Sequence, residues 1–132
     1  MQLKPSLLTV VVFVVLLNTA LAKGVQQEIK FKPGESSTAI ESTVLRGDRD
    51  KYTLTAKAGQ IVSVSIAAEE DNAVFQIYRK TSHGWEPLEG ASENDDATDW
   101  EDKLLGKGIE HLKIIVSGKR GNATYTLAVA IE

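Results

Sequence analysis

The chain contains no cysteine. That excludes a disulfide framework, a thiol nucleophile, thiolate ligands for zinc or iron–sulfur clusters, and lipid attachment through sulfur. Histidine is nearly missing too: His83 and His111 are the whole complement, and neither lies in an H-E-x-x-H spacing. No G-x-S-x-G elbow occurs. Nothing pairs a nucleophile with a base, so the sequence reads as that of a protein that is not an enzyme. A cationic excess is also lacking. Fifteen Lys and Arg face 18 Asp and Glu, for a formal net charge of -3, which argues against a general nucleic-acid binder.

What is present is ordinary for a folded domain. The 132 residues are 42% hydrophobic and 25% charged, which excludes disorder of the whole chain and leaves room for one domain. Residues 1–22 read differently from the rest. Lys4 is their only charge, an apolar run covers Leu7 to Leu17 broken only by Thr9, and Ala20-Leu21-Ala22 follows. A basic start, a short apolar stretch and small residues at a cleavage site describe a secretory signal peptide. The run is too short for a membrane anchor, which needs about 20 apolar residues. The expected organisation is a signal peptide at 1–22 and a mature domain at 23–132, periplasmic or secreted. Export without cysteine points to a bacterial source.

The mature chain alternates apolar and polar residues over short segments punctuated by Gly, Pro, Asn and Asp, the all-β pattern. Val25, Gln27, Ile29 and Phe31 share one face of a first strand, and Pro33-Gly34-Glu35 ends it. Thr38 to Leu45 is the second. Arg46-Gly47-Asp48-Arg49 is a turn, after which Tyr52, Leu54 and Ala56 alternate with Lys51, Thr53 and Thr55. Val62, Val64 and Ile66 mark the fourth strand, Ala73 to Tyr78 the fifth, Trp100 to Leu104 a weaker sixth, and Leu112, Ile114 and Val116 a seventh. Tyr125, Leu127, Val129 and Ile131 carry the last. Seven or eight strands in a chain of this size predict a single antiparallel β-sandwich, jelly-roll-like, with no helix.

Lys80–Thr98 does not alternate and reads as a long loop, the kind usually reserved for function. Glu86, Glu89, Glu93, Asp95, Asp96, Asp99, Glu101 and Asp102 lie in or beside it, and residues 81–102 contain no Lys or Arg. Clustered carboxylates keep calcium open as a ligand, although the spacing matches no EF-hand. The plainer reading is a solvated acidic loop, and a third is a negative lobe that steers a basic partner. Trp85 beside Gly84 and Pro87 is a candidate exposed contact, whereas Trp100 belongs to the core. Lys119-Arg120-Gly121-Asn122 forms a basic turn tip, and Asn122-Ala123-Thr124 fits a glycosylation sequon.

Three stretches are familiar: Phe31-Lys32-Pro33-Gly34-Glu35-Ser36-Ser37-Thr38, the Asp50 to Gln60 run D-K-Y-T-L-T-A-K-A-G-Q, and Arg120 to Leu127. Together they resemble bacterial pre-peptidase C-terminal-like domains, with the closest likeness to the periplasmic inhibitors of g-type lysozyme. The resemblance implies a non-enzymatic protein that occludes the cleft of a cell-wall hydrolase with loops, needs no cofactor, and has a g-type lysozyme or another basic extracellular protein as partner. It places contacts in the turn before the third strand and in the loop before the last; Arg120 is the only arginine that carries over, and Lys119, Asn122, Asp48 and Arg49 are further candidates in the same two turns. The family's tyrosine in the first of these turns has no counterpart, since Gly47 and Asp48 stand there. A stand-alone module for polysaccharide or extracellular protein, with Trp85 in its site and calcium as a stabiliser, is the alternative.

Overall fold

The computed structural model describes residues 24–132; the expected signal peptide lies outside them. The described strands are β1 (Gln26–Glu28), β2 (Ser37–Val44), β3 (Asp50–Lys57), β4 (Ile61–Ala68), β5 (Ala73–Thr81), β6 (Gly84–Pro87), β7 (Asp99–Lys103), β8 (Ile109–Gly118) and β9 (Ala123–Ile131). Alternation drives their assembly. In β3 every second residue is buried, and in β9 Ala123, Tyr125, Leu127, Val129 and Ile131 are buried in the same way. The long strands therefore each have one apolar face to hide, and two sheets stacked face to face hide these faces together.

One sheet has the order β1-β3-β8-β5-β6 and the other β2-β9-β4-β7. Their inner faces meet in a core that includes Tyr52, Leu54, Val62, Phe75, Ile77, Leu112, Ile114, Leu127 and Val129. The sandwich expected from the sequence is correct, but the strand count is not: nine strands are present among the described residues. All pairings are antiparallel except β1 with β3, which run parallel. In place of a wholly strand-and-turn chain there is also one 3-10 turn, Glu69–Asp71.

The largest departure is in the expected loop 80–98. Its start is β6, a short edge strand hairpinned onto β5. Thr81 makes the turn, accepting from the His83 amide and donating to the Gly84 carbonyl, both at 3.1 Å. Four residues holding both Gly and Pro carry no alternation signal. They form a strand because Pro87 sits on an open edge, where its missing N–H costs nothing. The remainder is anchored across the open side of the sandwich. The Phe75 amide donates to the Ala97 carbonyl and the Ile77 amide to the Ala91 carbonyl, at 3.0 and 2.9 Å, while the Ile66 amide of the opposite sheet donates to Thr98 at 2.9 Å. Ala91 and Ala97 are buried. The Trp100 indole lies beneath, its Nε1–H donating to the Glu89 carbonyl at 3.0 Å.

Asp50 joins the two sheets. It is fully buried. Its Oδ1 accepts from the Val25 amide at 2.8 Å and its Oδ2 from the Tyr125 hydroxyl at 2.6 Å. The amide comes from the chain entering β1. Gly24 makes this possible. Its φ is +86°, and a Cβ there would strike the Arg49 carbonyl.

Candidate functional site

Three turns converge at one end of the sandwich: β2–β3 (residues 45–49), β4–β5 (69–72) and β8–β9 (119–122). Register brings them there, because Val44 pairs with Ala123, Ala68 with Tyr125 and Ala73 with Gly118. Asn72 is the organising residue. Its Oδ1 accepts from the Arg120 amide at 2.7 Å, and its Nδ2 donates to the carbonyls of Arg120 and Asn122, each at 3.0 Å. Its own carbonyl accepts from the Lys119 amide at 2.8 Å. A side-chain amide suits this task, since it donates and accepts in one plane as a peptide does.

The 119–122 turn is tied on its other side as well. Asn122 Oδ1 accepts from the Arg46 amide at 2.7 Å. Gly121, at φ +71°, lies under the Arg46 guanidinium. The two cations of the turn are each met by an acid. Arg120 Nη2 donates to the Glu70 carbonyl at 2.8 Å and stands 3.8 Å from its carboxylate. Lys119 Nζ stands 3.8 Å from the Asp96 carboxylate. All four side chains are well exposed to solvent.

Glu70, Asp71 and Asp96 have φ values of 54°, 52° and 46°, and they are the non-glycine residues with positive φ among those described. Left-handed backbone disfavours L side chains and collects at sites where position matters more than local comfort. Here it collects where the acids meet Lys119 and Arg120. A cleft of about 410 Å³, lined by Glu69, Glu70, Asn72, Arg120, Asn122 and Thr124, opens between the turns.

The structure thus brings Lys119, Arg120 and Asn122 together with the β2–β3 turn. Asp48 closes that turn through its amide, donating to the Leu45 carbonyl at 2.9 Å. Arg49 is exposed beside it. The residue of this turn that reaches the 119–122 turn is Arg46, through its amide and its guanidinium. Sequence reading missed Arg46, Asn72 and Glu70 as site residues. A lone Asn after an acidic triplet was the available signal for the last two. Trp85 is elsewhere: it lies in β6 opposite Lys80, towards the other end of the sandwich. Its ring is not bare, with Lys113 Nζ 4.4 Å and Lys80 Nζ 5.8 Å from the centroid. His111 is a surface residue of β8. Among the described residues no group of three or more His, Asp and Glu converges as a metal would require.

Comparison with solved structures finds this architecture again. The periplasmic inhibitor of g-type lysozyme from Aeromonas hydrophila superposes with a TM-score of 0.59 at 24% identity, over 83% of this chain and 98% of that one. The fold is that of the g-type lysozyme inhibitors. The pre-peptidase C-terminal domain of a Bacillus anthracis collagenase shares it, with a TM-score of 0.50 at 16% identity over 80% and 95% of the two chains. Both halves of the resemblance read from the sequence are therefore met. In sequence, the chain is 35% identical over 69 residues to the inhibitor of g-type lysozyme of Escherichia coli K12. That alignment covers 52% of each chain, so it spans about half the length of the curated relative. No family model matches the chain.

Proposed function

We propose that the protein is an exported, non-enzymatic inhibitor of a cell-wall hydrolase of the g-type lysozyme class. In this reading residues 1–22 direct export and 23–132 form the inhibitor, in the periplasm or outside the cell. The likeness to proteins described as periplasmic inhibitors supports the reading. The observation that carries it is the bracing of the 119–122 turn, which holds Arg120 and Lys119 out from the end of a rigid sandwich. A loop already ordered before binding loses little entropy on docking.

Glycoside hydrolases of this kind work with carboxyl groups in an open cleft. An arginine presented on a stiff turn can enter such a cleft, pair with a carboxylate through two N–H donors and exclude the sugar. Arg120 takes that role, with Lys119 at the rim and Asn122 holding the turn. Arg46 and Arg49 flank the approach. Surface ion pairs are weak, so the contact of Arg120 with Glu70 yields readily to a desolvated carboxylate of the enzyme. No cofactor has a part in this action.

Residues 23–132 assayed against g-type, c-type and i-type lysozymes test the proposal. Stoichiometric inhibition of the g-type enzyme is expected, with Arg120→Ala weakening it at least tenfold. Failure to inhibit any class overturns the assignment while leaving the fold untouched.

A further inference from the structure

The outer face of the five-stranded sheet is unlike the rest of this acidic protein. Three lysines stand on it in line. Tyr78 pairs with Lys113, which pairs with Thr53, while Lys51 pairs with Ile115 and Lys80 with Trp85. Lys51, Lys113 and Lys80 therefore occupy diagonal positions on β3, β8 and β5, each step about 7–8 Å between backbones. Trp85 closes the line, its ring within cation–π reach of Lys113 and Lys80. Beside it, Glu28, Thr53, Thr55, Lys80, Trp85 and His111 border a cleft of about 290 Å³. Glu28 is the acid of this face, and it lies 3.9 Å from Lys30 at the sheet edge.

We infer that this face binds an acidic polysaccharide laid along the diagonal Lys51–Lys113–Lys80. Evenly spaced cations in a row fit the evenly spaced anions of a linear polymer better than the irregular charge of a protein surface. Hydroxyls of Thr53 and Thr55 and the imidazole of His111 give sugar hydroxyls partners on the same face. Nucleic acid fits less well, because a stacking base would compete with the Lys113 and Lys80 ammonium groups for the Trp85 ring. Burial and, after it, the neighbouring Lys51 hold the Lys113 ammonium below its usual pKa, and a bound anion offsets the repulsion between the two lysines. The surface lies on a sheet face, apart from the three turns, and its occupation does not depend on any inhibitory role.

The test is calorimetric titration of the whole protein at low salt with polygalacturonate, heparin, dextran and single-stranded DNA. Binding of an acidic glycan, weakened by added salt, and none of dextran is expected. Combined Lys51→Gln, Lys80→Gln and Lys113→Gln should reduce affinity at least tenfold with the thermal midpoint unchanged, and arginine at the same positions should retain it. Lys119→Gln with Arg120→Gln should leave glycan binding intact. If the triple variant does not fold, Lys51→Gln and Lys80→Gln are measured singly, since both lysines are exposed. No binding of either acidic glycan, equal binding of DNA, or undiminished binding by the glutamine variants overturns the inference.

Discussion

Tyr125 gives its phenolic proton to Asp50 across a 2.6 Å hydrogen bond, and the two residues belong to opposite sheets. The Tyr52 hydroxyl stands 2.6 Å from that of Tyr125. Because the single proton of Tyr125 is committed to Asp50, Tyr52 is the donor in this second bond. A buried carboxylate is thereby satisfied by a chain of two phenols and one backbone amide, as burial of a polar group demands.

Tyr125→Phe keeps the ring and removes the donor. It should lower stability by about 1–3 kcal/mol, the cost of stranding a buried acceptor. Urea unfolding measures this. A change below about 0.5 kcal/mol would mean that Asp50 finds another partner. Tyr125→Ala should cost more, about 3–5 kcal/mol, because the ring itself is core.

Alkaline pH attacks the same network. Burial, followed by hydrogen bonds with Asp50 and Tyr52, raises the Tyr125 pKa; burial is also the main cause of the raised Tyr52 value. A raised folded-state pKa means the native protein keeps protons that the unfolded chain gives up. The stabilisation is complete below the ordinary tyrosine value of 10.0. It declines as pH climbs above that value towards the folded pKa. The protein should unfold with base from about pH 10 upward, with tyrosinate absorbance and loss of near-ultraviolet dichroism appearing together. In a Tyr78→Phe variant, which leaves the two buried phenols as the tyrosines, tyrosinate forming while the dichroism persists would show that they ionise within the native state.

Asn72→Ala should loosen the 119–122 turn. Three side-chain hydrogen bonds at the surface are lost, for about 1–2 kcal/mol in all. Amide exchange at Arg120 should accelerate well beyond that of the β9 core. Unchanged exchange there would mean that Arg46 and Asn122 suffice to hold the turn.

Glu70→Gln separates the two ways in which Arg120 is held. The carbonyl bond at 2.8 Å stays and the carboxylate at 3.8 Å loses its charge. Stability should barely move, because exposed pairs contribute little. If Arg120 enters an acidic cleft, inhibition should strengthen several-fold. Unchanged or weaker inhibition would show that Glu70 does not compete for the arginine.

Much of this was legible in the residues. Val62, Val64 and Ile66, or Tyr125 to Ile131, announce strand and buried face together, because a strand repeats every two residues whatever it pairs with. Turn chemistry placed the chain reversals at Arg46–Arg49 and Lys119–Asn122. The core position of Trp100 followed in the same way. Gly84–Pro87 hid its strand because its partner β5, and not its own pattern, makes it one.

The sequence by itself determined the two-sheet architecture, the inward side of long strands such as β3, β4 and β9, and the basic turn as a place to look. Only the tertiary structure decided that β1 runs parallel to β3, that Asp50 meets Tyr125 and that Arg120 meets Glu70. It also separated Trp85 from the turns and set it among lysines. The last two named pairs lie 75 and 50 residues apart in the chain. Alternation is local and can be read from neighbours. Partner choice between distant polar groups depends on register and sheet order, which exist only once the core has closed.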